Sequence, residues 1–237
     1  MNPNPYGKYH YDTFVPSQPS PYRACIDSSG CAVIPENVGV IGDMAFYGCS
    51  ELKTVVLHAG VATIHPRAFL ACPNLAEFRV ADESRFFLAV DGVLFSWQGA
   101  LVRCPPARSG RYAIPDGIVE ILGGAFRQCE LLTEVTFPES LRNIREYAFA
   151  DCTGLTAVAF PAGLKTTGRR AFSWCENLTK AVVRGRETDV VNSTFRDCPN
   201  MTLHAPAGSV AQRQVEEDPF GDYPPFHVLP PRLFGKK

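Results

Sequence analysis

The chain has 237 residues, of which 46% are hydrophobic and 20% charged, with a formal net charge of −1. That balance belongs to a soluble globular protein of one or two domains and gives no pull toward nucleic acid or an anionic membrane. No apolar run approaches the roughly 20 residues of a membrane span.

The N-terminal stretch MNPNPYGKYHYDTFVPSQPSP lacks the apolar core of a signal peptide and opens Met-Asn, not Met-Gly. A cytoplasmic location is therefore expected, with the cell surface or exterior as the alternative. Residues 1–31 match no repeat and read as an N-terminal extension or cap. RACIDSSGCAV predicts a hairpin turning at Asp27 to Gly30. Cys25 and Cys31 either face each other there, able to oxidise in an exported protein, or Cys31 lies in a capping strand.

From Ala32 a repeat sets in. AFYGC, AFLAC, AFRQC, AFADC, AFSWC and TFRDC carry Phe46, Phe69, Phe126, Phe149, Phe172 and Phe195, spaced 23, 57, 23, 23 and 23. The long step is one period plus 34 residues (57 − 23 = 34). Three residues after each cysteine comes Leu52, Leu75, Leu132, Leu155, Leu178 or Met201. Apolar residues then alternate, as in Val55 and Leu57 or Val158 and Phe160, which predicts a strand with one buried face. Five residues before the phenylalanine stands Ile41, Ile64, Ile121, Ile144, Thr167 or Val190. Each unit is thus a strand, a turn often marked by proline, a second extended segment and a compact AFxxC turn. No unit can bury its apolar face alone, so the units must stack. Thr167, Glu187 and Thr194 depart from the pattern.

Six equivalent cysteines argue for architecture, since catalysis needs one special thiol and zinc needs four convergent ligands. The five histidines are out of phase with the repeat, and no cofactor or metal is expected. Free thiols are expected in the ladder. FFLAVDGVLFSWQGALVRCPP holds turn signals at Asp91-Gly92 and Gln98-Gly99 and reads as an inserted hairpin or three-stranded meander over about residues 82–111. Cys104 should pack it onto the stack. Removing about 30 residues between Asp82 and Arg111 is expected to leave a folded solenoid. Residues 212–237 read as a cap followed by a proline-rich tail.

The unit L-x-x-[VIF]-x-[VIF]-P-x-x-[VIL]-x-x-I-x-x-x-A-F-x-x-C resembles the BspA-like, or Treponema-type, leucine-rich repeat family, over residues 32–211. The resemblance implies a repeat solenoid: a right-handed curved stack with a parallel β-sheet on the concave face and an inserted β-hairpin. LHAPAGSVAQRQ resembles the family's closing cap. The family also implies binding or adhesion roles.

No Walker, GxGxxG, HExxH or GxSxG motif occurs. Function should sit where the repeat varies on the concave strands. The candidate partner-binding residues are Val56, Glu77, Arg79, Glu134, Thr136, Lys180 and Val182, with Trp97 of the hairpin as a flanking wall. A non-catalytic interaction module taking a protein, or else a glycan, is the expectation. A structural or assembly subunit is the alternative, and an enzyme using Cys104 or Cys25 with a histidine ranks third.

Overall fold

A computed structural model describes Ser20, residues 22–217 and residues 224–229. The chain winds as eight stacked coils, each entered by a strand whose apolar side chains point inward and alternate ones outward. The first two coils hold β1 (Cys31–Val33) and β2 (Val40–Ile41), then β3 (Thr54–Leu57) and β4 (Thr63–Ile64). The third holds β5 (Glu77–Val80), β6 (Phe87–Val90), β7 (Val93–Ser96) and β8 (Ala100–Arg103). The next four hold β9 (Gly110–Ala113) with β10 (Glu120–Ile121), β11 (Leu132–Thr136) with β12 (Asn143–Ile144), β13 (Ala157–Phe160) with β14 (Thr166–Thr167), and β15 (Lys180–Val183) with β16 (Asp189–Val190). The last coil has β17 (Thr202–Pro206), helix α1 (Val210–Glu216) and β18 (Phe226–Leu229). The longer strands pair in parallel along the concave face, and the two-residue strands form a second parallel ladder.

A phenylalanine stack runs through the core. Phe126–Phe149 and Phe149–Phe172 have ring centroids 4.5 and 4.7 Å apart and nearly parallel planes. Tyr22 caps the first rung by stacking on Phe46 at 5.4 Å. The AFxxC turn is tight because two of its residues adopt left-handed backbone. They are the residue before alanine (Met44, Tyr147, Arg170) and the residue before cysteine (Ala71, Asp151, Trp174). Such conformations cost about 1 kcal/mol or more each in non-glycine residues. The inter-coil ladder offsets that cost: Phe149 N–H donates to Ala171 O at 2.6 Å, and Asp151 N–H to Ser173 O at 2.9 Å.

The cysteines complete the turn. Four of the six repeat thiols donate to the carbonyl of the preceding coil's phenylalanine: Cys72 to Phe46 at 2.9 Å, Cys152 to Phe126 at 3.0 Å, Cys175 to Phe149 at 3.2 Å and Cys198 to Phe172 at 3.0 Å. A buried carbonyl needs such a donor, and a small apolar side chain with one S–H fits the corner. All nine cysteines are free thiols, Cys25 and Cys31 among them.

The 34 extra residues contain more than a hairpin. β6 and β7 form the hairpin, closing in register at Val90↔Val93. β8 then pairs in parallel with β10, as the short second strand of any coil would. Cys104 N–H donates to Ala125 O at 2.7 Å, and Cys104 O accepts from the Cys129 thiol at 3.7 Å. Arg103-Cys104 therefore stands where other coils have Ala-Phe. The segment is a hairpin followed by one shortened coil, and cutting Asp82 to Arg111 would remove a rung of the core. The expectation of a simple excision is corrected on that ground.

The shortened coil leaves a seam. Its turn lacks the AFxxC bonds, and two side chains supply them. Gln128 Oε1 accepts from Ala71 N–H at 2.8 Å. Arg103 donates to the carbonyls of Gly124 and of Phe69, the latter at 3.4 Å. The core divides there into two clusters, joined by the hairpin. Phe87 and Leu94 belong to the N-terminal one, and Val93 and Phe95 to the C-terminal one.

Past the last repeat the described residues add a helix and a strand to the stack, while the rest of the expected tail lies outside them. Ser209 caps α1, its hydroxyl accepting from Gln212 N–H at 3.2 Å. β18 adds to β17 as a further parallel strand.

Candidate interaction surface

The concave sheet displays two outward rows. The register aligns Thr54 with Glu77, Arg111 with Glu134, and Ala157 with Lys180 and Thr202. The second row aligns Val33, Val56 and Arg79, then Ala113 with Thr136, then Ala159, Val182, His204 and His227. Seven of the eight residues expected from the sequence thus share one face: Val56, Glu77, Arg79, Glu134, Thr136, Lys180 and Val182. Trp97 stands apart. It follows β7 in the second ladder, while the opposite end of that strand, at Gly92, is what meets the concave sheet through a 2.9 Å bond to Phe78 N–H. A four-residue strand is about 13 Å long, so Trp97 is no wall to the concave face. Its indole Nε1 donates to Ser84 O at 2.9 Å, and its ring borders an apolar groove of about 290 Å³ with Leu88, Val90 and Ile118.

Charge on the concave face is mostly paired within it. Glu77 accepts from Thr54 at 3.2 Å and from Arg79 at 2.5 Å. Glu134 lies 3.1 Å from Arg111. Among the described residues Lys180 has no carboxylate partner. Arg111 was missed from the sequence, and His204 and His227 were weighed only as partners of an exposed thiol, not as residues of this face. Arg111 lies in β9, which opens the coil after the shortened one, where no repeat cysteine precedes the strand to set the count. His204 lies in the alternation Met201-x-Leu203-x-Ala205, which continues the strand pattern and could have flagged it. His227 carried no signal, because β18 follows a proline-rich stretch outside the repeat.

The seam opens on the turn side into a cavity of about 430 Å³ lined by His65, Arg67, Gly124, Arg127, Glu146 and Tyr147. Its charges are met locally: Asp43 pairs with Arg67 and, at 3.1 Å, with His65, while Asp151 lies 3.6 Å from Arg127. Burial pushes the Asp151 carboxyl up to about 6, against the opposing pull of Arg127. The repeat thiols do not line a site. Burial raises Cys104, Cys152 and Cys175 well above the ordinary thiol range and Cys72 to about 12. A nucleophile or metal ligand needs the thiolate.

A family model described as a BspA type leucine rich repeat region matches residues 25–87 and 110–212 in six copies. The unmatched gap between them spans the hairpin and β8. A leucine-rich repeat protein from Eubacterium ventriosum is similar in structure, with a TM-score of 0.67 at 20% identity over 74% of this chain and 48% of that one. A leucine rich cell surface protein from Faecalibacterium prausnitzii gives 0.54 at 22% identity over 81% and 64%. The pneumococcal vaccine antigen PcpA gives 0.55 at 16% identity over 84% and 68%. The chain spans about half the length of the first of these and under two thirds of the second. No curated protein matches it in sequence. No helix among the described residues is long and apolar enough to cross a membrane.

Proposed function

The chain belongs to the BspA-type leucine-rich repeat family, and we propose that it is a non-catalytic interaction module whose concave sheet binds a protein partner. The observation that carries this reading is the grid itself. Outward side chains stand in two rows over three runs of parallel strands whose inward residues are locked in the core. A rigid array of this kind holds interface anchors in place without an ordering cost on binding. The buried, protonated thiols agree with an architectural role for the repeat cysteines. A structural or assembly role remains the rival, in which partners would grip the ends of the stack.

The test is capture of a partner from the native lysate by wild type and by the double variant Arg79→Glu, Val182→Asp. Specific capture lost in the variant, with an unchanged melting curve, supports the concave face. An unchanged dissociation constant overturns it. A cell-surface placement, like that of the Faecalibacterium cell surface protein, is a second reading beside the cytoplasmic one. Protease accessibility on intact cells separates the two.

A further inference from the structure

Resting on the concave-face reading, we infer that the C-terminal end of that face takes a carboxylate-bearing peptide segment, anchored by Lys180, His204 and His227. The geometry is a built cluster of one ammonium and two imidazoles. Parallel pairing of β17 with β18 sets His204 beside His227, and the rings stack at 5.2 Å with 21° between their planes. Lys180 projects from the neighbouring strand β15 onto the same face, two residues from Val182, the register partner of His204.

Elsewhere on this face acidic and basic side chains neutralise one another, as Glu77 with Arg79 and Glu134 with Arg111. Among the described residues they do not at this end. Arg184, just past β15, reaches toward Glu139 at 3.7 Å. Helix α1, packed on β17 and β18, brings Arg213, Glu216 and Glu217. Arg213 donates to Gly208 O at 3.1 Å, and Glu216 accepts from Gln212 at 2.6 Å. The charges that act on His204 are Lys180 and His227. Small neighbours, Ala159, Val182 and Thr202, leave the ammonium and the two imidazoles open to an approaching side chain.

Burial first, then Lys180 and His227, hold the His204 imidazole below its ordinary value of 6.5. The empty face therefore resists protonation. A carboxylate set among the three groups reverses that, since an opposite charge within about 4–6 Å favours the charged imidazolium. Binding then takes up protons, and affinity rises as pH falls from the raised value of the bound imidazole toward its lower value in the free protein.

The experiment follows the imidazole Cε1–H resonances of His204 and His227 in the full chain by NMR. Titrations run alone, with hexaglutamate, and with free glutamate at equal carboxylate concentration. Hexaglutamate should raise the His204 pKa by about one unit and tighten its own binding about tenfold between pH 7.5 and 5.5. Lys180→Gln and His227→Gln should each weaken that binding and flatten its pH dependence. No rise, an equal rise with free glutamate, or unchanged binding by both variants overturns the inference. If hexaglutamate fails while Arg79→Glu, Val182→Asp still loses the captured partner, the concave reading stands and only its acidic chemistry falls.

Discussion

Cys152 shows what the repeated cysteine does: fully buried, its thiol closes on the Phe126 carbonyl of the coil below. Thiol labelling of the folded protein should therefore leave Cys49, Cys72, Cys129, Cys152, Cys175 and Cys198 unmodified, while the half-buried Cys25 and Cys31 react first. Rapid modification of several repeat cysteines would sink the ladder. Two departures from the repeat explain each other. Thr167 and Thr194 are both buried, and their hydroxyls lie 2.9 Å apart. Thr167→Val should cost about 1–2 kcal/mol by stripping a buried hydroxyl of a partner. The double change Thr167→Ile, Thr194→Ala, which restores the pattern of the other coils, should cost less than the sum of its parts. Additive losses in urea melts would refute the pairing. Asp151 supplies a pH signature. Its carboxyl is raised from 3.8 to about 6, so the folded state prefers it protonated. The associated stability is fully present below pH 3.8 and is lost as pH rises through about 6. Asp151→Asn should flatten that part of the stability profile, and a profile identical to wild type would count against it.

At the scale of elements, the strand and turn of each coil were legible because apolar period 2, the proline after the strand and the AFxxC spacing all point the same way. The shortened coil was not. Its turn runs from Leu101 to Cys104 in three residues where Ile121 to Phe126 takes five, and it holds Arg103-Cys104 in place of Ala-Phe. No motif search in the repeat's own letters finds it, and only the inter-coil bonds reveal it. Likewise Gln128 looks like an ordinary turn residue until its side chain is seen replacing a missing backbone acceptor. The arrangement changes what excision should do. Deleting Asp82 to Arg111 removes Phe87, Val93, Leu94, Phe95, Leu101 and Cys104 from the two core clusters. The expected outcome is a lowered midpoint and a broadened or split transition in urea followed by circular dichroism. One sharp transition at the wild-type midpoint would show the segment to be a dispensable ornament.

For the whole molecule the stack behaves as a near one-dimensional array, in which each coil is stabilised by its neighbours and the ends need caps. Tyr22 and α1 serve as caps, and the concave face was legible as far as the repeat reached. Legibility did not extend to Arg111, whose strand β9 follows no repeat cysteine, or to His227, whose strand β18 lies beyond the repeat; pairing across coils fixes both positions. The seam has an energetic counterpart. It interrupts the phenylalanine stack between Phe69, which turns edge-on to Phe78 at 5.2 Å, and Phe126, which meets Tyr112 at 6.0 Å. Across it the turns are joined by the side chains of Arg103 and Gln128 in place of a regular ladder. Contiguous cooperative units open separately where contacts between them are few. Native-state hydrogen exchange over a urea series should therefore show two isotherms. Amides of β2, β3 and β4 should open at lower free energy than those of β12, β13 and β14. Gln128→Leu, which leaves Ala71 N–H buried without its acceptor, should lower the first set by about 1–3 kcal/mol and leave the second nearly unchanged. If all these amides converge on one opening free energy in wild type, the seam transmits cooperativity fully and the two clusters fold as one unit.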